Sequence, residues 1–533
     1  MKIPTSEMKL LSHLGILVAL FKQYQIIEKI DRLLPKRSHN QKISHGQALL
    51  AMVLQGFGFA NSRLYLASEY FSHLALEELF GPDIKAEHLN PNVLARTLDA
   101  IYEYGATRFF TDICLGIVLD PQILKKFLYM DTTTFHVTGQ KYQNQGRIEL
   151  KHGHSKDNRM DLKQLVYLLV SSEDGIPIIG ECYSGSASDN AIFQDKIIHI
   201  QELIREDLED KVLVLDSSLY NKYFLRNQSI TGDWITRVPE SIKACKELVS
   251  KKRQLWTKID KDFKYFETIS NYGGKKQRWI VVRCRESKYK EQETFNKKLD
   301  KEEMALKSRL KKLEARSFIE KIDASYEIFK TREQYQNFNI NGNIVAIKKR
   351  ILGTKRYRKI GYKLKMGYSR NENRINKKLE SKGKFVLATN KLDDEELSGE
   401  EIVGAYRNRN KGVEGCFKFL KNKTLNLNQV FLQKESRIEA MMIVMTFILL
   451  VNNLSEKKIK EYLVEKCDTF PNQMEKPISN PTLMWISYKM RYISRISAKI
   501  GDRIYHEIIG ITSEIKLIIR AFGEEATAIY GFT

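Results

Sequence analysis

Three carboxylates stand where the surrounding residue types let them do chemistry. Asp131 ends the apolar run 127–130 and opens Asp-Thr-Thr-Thr-Phe-His, and Asp216 ends the run 212–215 and opens Asp-Ser-Ser-Leu-Tyr. Short apolar runs bounded by polar residues read as buried strands, and a carboxylate at the end of such a strand is held rigidly where ligand can reach it. The third acid, Glu414, lies in residues 405–421, AYRNRNKGVEGCFKFLK, alone among cations. On a helix, Arg407, Lys411, Glu414, Lys418 and Lys421 share one face, and Val413, Cys416, Phe417 and Leu420 take the other. Alone, this stretch reads first as a solvated surface helix with ordinary i,i+4 pairs. Two Asp and one Glu converging on one point would instead make a site for hard divalent cations such as Mg²⁺, which prefer oxygen ligands.

The elements that must position these acids follow from periodicity. Strands are expected at 128–137, 164–171 and 177–183, the last two joined by the hairpin turn Glu173-Asp-Gly-Ile. A helix at 189–208, a strand at 212–216, a helix at 217–226 and a strand at 234–238 follow. Other acids in this region serve other ends. Asp157 and Asp161 lie in a Lys/Arg-rich loop where ion pairing is expected, Glu181 and Asp189 are not read as ligands, and His154 is read as structuring its loop.

Charge is concentrated. The chain carries a net +23 over 533 residues, and residues 241–390 alone hold 41 Lys and Arg against 17 Asp and Glu. A local excess of this size suits neutralisation of phosphates along a polyanion. Residues 287–316 read as a long charged helix with a narrow apolar seam. Residues 348–384 interleave Lys355, Arg356, Arg358, Lys359, Lys363, Lys365, Arg370 and Arg374 with Tyr357, Tyr362 and Tyr368. Cations that track a backbone beside aromatics that stack on bases compose a nucleic-acid groove; the alternative is a merely solvated β-hairpin.

The segments MDTTTFHVTGQ, HGHSKDNRMDLKQ, VLVLDSSLY, WITRVPESIKACKEL, YGGKKQRWIVVR, GKFVLATNKLDDEEL and VEGCFKFLK followed by FLQKESRIEAMMIVM resemble, in order, the DDE transposases of bacterial insertion sequences. Within these the chain is most similar to the IS-four-like branch. The resemblance implies an α/β fold: a ribonuclease-H-like mixed-sheet core at 121–238 and 396–455, interrupted by a basic α+β insertion at 239–395. A helical domain at 1–120, serving DNA binding or dimerisation, would precede it, and a helical tail at 456–533 would follow. It implies Asp131, Asp216 and Glu414 as the catalytic triad holding two Mg²⁺ or Mn²⁺ ions. Lys411, Lys418, Lys421 and Arg407, with Lys355, Arg356, Tyr357, Arg358, Lys359 and Tyr362, would contact double-stranded DNA, with a homodimer assembled on it, in a bacterial cytoplasm at the nucleoid. The branch's Y-x2-R-x3-E-x6-K signature is off by one here: Tyr406 and Arg409 are followed by Glu414 one residue late, then Lys421 on time. Either the helix begins after Asn410, or Tyr406 and Arg409 do not face the site.

The remaining bounds are broad. The chain length predicts two to four domains, and a 42% apolar fraction supplies their cores. Six scattered cysteines without C-x-x-C or zinc spacing argue against structural zinc and a disulfide framework, so reduced thiols are expected. The N-terminus lacks a signal-peptide core. The apolar run 440–451 is too short to span a bilayer and reads as a core helix, so no membrane partner is expected. Ser44 and Gln47 form a capping box before an apolar helix, and another helix follows Pro91. His13, His45, His73 and His88 are read as surface or capping residues.

Overall fold

The structure, a computed structural model, describes residues 6–35, 41–58, 66–137, 146–153, 156–157, 159–187, 192, 211–226, 232–251, 255–422, 434–500 and 503–532. The chain is mixed α/β and divides into two compact units: residues 1–219, 227–234 and 404–533 form the first, and residues 220–226 and 235–403 the second.

In the first unit, β1 (Ser6–Leu10) precedes the helices Leu14–Gln23, Ile26–Leu33, His45–Phe57, Pro91–Tyr104 and Ala106–Val118. The capping box forms as expected: Ser44 Oγ accepts from Gln47 N at 3.1 Å, and Gln47 Oε1 accepts from Ser44 N at 3.0 Å. Two of the four histidines depart from expectation. His13 and His45 are buried, each with its Nδ1 against a hydroxyl: Ser487 Oγ at 3.0 Å from His13 Nδ1 and Thr97 Oγ1 at 3.0 Å from His45 Nδ1. Burial pushes His13 down to about 3, so it is neutral.

Four strands then carry the site. β2 (Phe127–Val137), β3 (Lys163–Ser171) and β4 (Pro177–Ser184) form an antiparallel meander, and β5 (Val212–Leu215) lies parallel to β2 on its other side. β2, β3 and β5 bury residues on both sheet faces, which is why their sequences are nearly continuous apolar and Thr runs. Tyr129 is registered with Val214. Continuing that offset along the parallel pair places Asp216, one residue past β5, beside Asp131. The expected helix 189–208, apart from Ile192, and with it Asp189, lies outside the described residues, as does His154.

The helix Glu435–Glu465 packs against this meander and the N-terminal helices. It extends well beyond the apolar run read from sequence, and by length and composition it is long enough to cross a membrane. Yet 94% of its most apolar 18-residue window is buried inside the protein. Each fully buried Leu or Ile along it contributes roughly 1.5–3 kcal/mol. Two ends of this unit are not purely helical as expected. β1 pairs antiparallel with Ser494–Ile500, which pairs with Arg503–Ile509, so the N- and C-terminal regions share one three-stranded sheet. Such pairing between distant segments leaves no local signature.

The second unit contains the strands Phe263–Ser270, Gln277–Cys284 and Lys384–Thr389 in one sheet. Its 31-residue helix Arg285–Ala315 matches the expected charged helix, and its seam residues Leu299, Leu306 and Leu310 pack with Phe338 and Ile340. A long hairpin, Phe338–Arg350 with Tyr357–Arg370, lies on this helix and on Lys321–Gln334. Gly361 lets the short strand Ser317–Phe318 join: a Cβ there would lie 2.7 Å from the Phe318 carbonyl oxygen.

Candidate active site

Asp131 sits mid-strand in β2 with its side chain 14% exposed, and its Oδ1 accepts from Thr132 N at 2.7 Å. Asp216 caps the turn after β5, its Oδ1 accepting from Ser218 N at 2.8 Å. Glu414 comes from a different part of the chain, in the first turn of the helix Val413–Leu420.

This helix is not continuous with the one before it, as the shared-face reading of residues 405–421 requires. Gly399–Asn408 ends at Asn408, and Lys411 N and Gly412 N both donate back to its carbonyl at 2.9 Å. Gly412 permits the break, because a Cβ there would meet the Tyr129 ring at 3.0 Å. Tyr129 secures the other side too, donating its hydroxyl to Ala405 O at 3.1 Å. One β2 residue thus clamps both flanks of the interruption. The helix does begin after Asn410, and the extra residue relative to the Y-x2-R-x3-E-x6-K spacing is absorbed in the turn.

The break turns Arg409 inward. Its side chain is 7% exposed, and the guanidinium lies among all three carboxylates: Nη2 is 3.2 Å from Asp131 Oδ2 and 3.5 Å from Asp216 Oδ2, and Nε is 3.9 Å from Glu414 Oε1. The Tyr406 ring lies 5.6 Å from the guanidinium carbon. A second cation, Lys156, reaches Asp131 Oδ1 at 3.8 Å and donates to Thr132 O at 2.7 Å. Sequence reasoning left Arg409 in doubt and passed over Lys156, whose only signal is its place in the Lys/Arg-rich loop. Among the described residues, no three His, Cys, Asp or Glu side chains stand close enough to hold a metal ion between them as placed.

The electrostatics divide the two aspartates. Burial, with a smaller contribution from Asp216, raises the Asp131 carboxyl against the pull of Lys156 and Arg409. Burial also acts upward on Asp216, but the Ser218 N–H, Arg409 and Lys156 outweigh it and leave that carboxyl below its usual range. Both cations act on both aspartates, Lys156 ahead of Arg409 at Asp131 and Arg409 ahead of Lys156 at Asp216.

The other expected contacts fall differently. Lys421 Nζ is paired with Asp157 Oδ2 at 2.7 Å, in the ion pairing expected of that loop, while Arg159 pairs with Asp161 at 2.8 Å. Arg407, Lys411 and Lys418 are exposed. In the second unit Lys355, Arg356, Tyr357, Arg358 and Lys359 are exposed, whereas Tyr362 packs against the cluster of Leu313, Phe318 and Leu364 under Lys359. Tyr362 is thereby less available to stack on a base than expected. Arg370 binds Asp300 and Glu303 at 2.8 and 2.7 Å, which anchors the hairpin root to the long helix.

A family described as a domain of unknown function, DUF4277, matches residues 6–115. That stretch covers the N-terminal helices and none of the three carboxylates. No curated protein matches the chain.

Proposed function

We propose that the chain is a DNA transposase of the DDE type, cleaving at element ends and joining the 3′-hydroxyl to target DNA. The observation that carries this reading is the convergence of Asp131, Asp216 and Glu414, from three separate segments, on one guanidinium. The meander β4-β3-β2 with β5 parallel to β2 supports a ribonuclease-H-like core, in which acids on the first and fourth strands are neighbours.

The donor set fits hard divalent cations: all oxygen, from three carboxylates that already gather around one positive charge. Asp131, Asp216 and Glu414 would hold two Mg²⁺ or Mn²⁺ ions, which supply Lewis-acid activation of the attacking oxygen and stabilisation of the leaving one. Arg409 neutralises the cluster otherwise, and on leaving it can donate a charge-assisted hydrogen bond to a phosphate oxygen. Lys418, exposed one turn beyond Glu414, offers a further phosphate contact. No residue is required to form a covalent intermediate.

A second reading, a DNA-binding protein that does not cut, is favoured by one observation: Arg409 Nη2 already pairs with both Asp131 and Asp216. A nuclease of the same fold that cuts without joining is the third. An assay on DNA carrying the sequences that flank the gene separates them: a transposase gives Mg²⁺-dependent cleavage and joined product, a nuclease cleavage alone, and a binding protein neither.

A further inference from the structure

Beyond its bulge between Ile347 and Lys348, the hairpin of the second unit leaves the body of that unit. Lys348 pairs with Lys359, Lys349 with Arg358 and Arg350 with Tyr357, and every residue from 348 to 360 is exposed. This makes a free two-stranded arm about 15 Å long. It carries seven cations, Lys348, Lys349, Arg350, Lys355, Arg356, Arg358 and Lys359, and no acid. None of the seven is in an ion pair among the described residues.

The tip is apolar. Ile351 is 43% and Leu352 98% exposed, where turn chemistry favours Gly, Asn, Asp or Ser. The tip is also built rather than loose: Ile351 N donates to Arg356 O at 2.9 Å, Thr354 N to Ile351 O at 3.1 Å and Arg350 Nε to Thr354 O at 3.0 Å. Gly353, at φ +81°, supplies the left-handed residue this turn requires. An exposed leucine is ordinary by itself. An ordered one at the end of an acid-free cationic ribbon is not.

We infer that this arm lies along a DNA groove and that Leu352, backed by Ile351, inserts as a wedge between base steps and kinks the duplex. The inference rests on the proposed DNA-binding role. Cations along both strands match the two phosphate rows that flank a groove, and apolar side chains carried into the minor groove unstack base steps and bend DNA by ~20–90°. An acidic protein surface would match the cations but not the single protruding leucine. An anionic membrane would need a broader apolar face than two side chains provide.

The test uses the full chain in EDTA with a duplex labelled at both ends for energy transfer and carrying internal 2-aminopurine. Wild type is expected to shorten the end-to-end distance and raise 2-aminopurine fluorescence. Leu352→Ser is expected to lose both changes while keeping the salt dependence of binding, since a wedge releases no counterions. Leu352→Met is expected to keep both. Leu352 is exposed, so these variants do not threaten folding. Binding without bending, bending unchanged in Leu352→Ser, or a Leu352-dependent attachment to phosphatidylserine vesicles without any effect on DNA overturns the wedge alone. Failure of wild type to bind duplex at all overturns the DNA-binding role and the wedge with it.

Discussion

Arg409 Nη2 lies 3.2 Å from Asp131 Oδ2 across 278 residues of chain, and that pair organises the candidate site. A buried guanidinium among three carboxylates offsets a repulsion that would otherwise oppose folding. On the proposed function, it also stands among the carboxylates that would hold the metal ions.

Replacing Arg409 by Ala should therefore lower the metal-free melting temperature. Breaking a buried pair is costly, but Asp216 and Glu414 are 35% and 40% exposed, so solvent screens part of the effect. The expected loss is about 1–3 kcal/mol. Mn²⁺ should raise the melting temperature of Arg409→Ala by more than it raises that of wild type, because it no longer competes with the guanidinium. Thermal melts with and without MnCl₂ decide this, and equal shifts in both proteins would remove Arg409 from the metal's path.

How much of this was legible in the sequence differs by residue. The strands that carry Asp131 and Asp216 were legible because an apolar run leads into each acid, although β2 continues past Asp131 to Val137 whereas β5 ends just before Asp216. Arg409 was not, because counting in threes and fours assumes an unbroken helix. Its interruption depends on Gly412 meeting the Tyr129 ring, a contact between residues far apart in sequence. The same limit hid the pairing of β1 with Ser494–Ile500 and the burial of His13 against Ser487. The basic arm was legible as composition, but its division into an anchored root at Arg370 and a free end beyond Ile347 was not.

The free end should dominate the salt dependence of DNA binding. Each phosphate contact contributes a slope of roughly −0.9 in log K against log salt on duplex DNA. Neutralising Lys355, Arg356, Arg358 and Lys359 together should flatten the slope by about two to four units. Tyr357→Ala should weaken binding with little change of slope, since stacking releases no counterions. Tyr362→Ala, in the packed root, should reduce stability as well. Titrations at several salt concentrations check all three, and an unchanged slope in the fourfold variant would move the groove to the face of Lys411 and Lys418.

Glu439 provides a stability test independent of DNA. It is 8% exposed, and burial, helped by Glu181 and opposed by Arg147, pushes its carboxyl up to about 7. The folded state then binds a proton more tightly than the unfolded one. Its contribution is present below the unfolded value near 4.5 and is lost as pH rises through about 7. Glu439→Gln should stabilise the protein at pH 8 by roughly 1–3 kcal/mol and change little at pH 5. Melting curves at the two pH values show it; an equal effect at both would mean that the carboxylate is solvated.

On the proposed function, Asp131, Asp216 and Glu414 form one metal-dependent phosphodiester-cleaving site. The most direct measurement is cleavage of supercoiled DNA carrying the sequences that flank the gene, in MgCl₂, by wild type and by Asp131→Asn, Asp216→Asn and Glu414→Gln. Glu181→Gln and Asp161→Asn serve as controls. Wild type and both controls should cleave and lose activity in EDTA, while each of the three variants should fall by about 10³-fold or more with DNA binding retained. Cleavage near the wild-type level in any of the three variants, or cleavage that survives EDTA, would contradict the account.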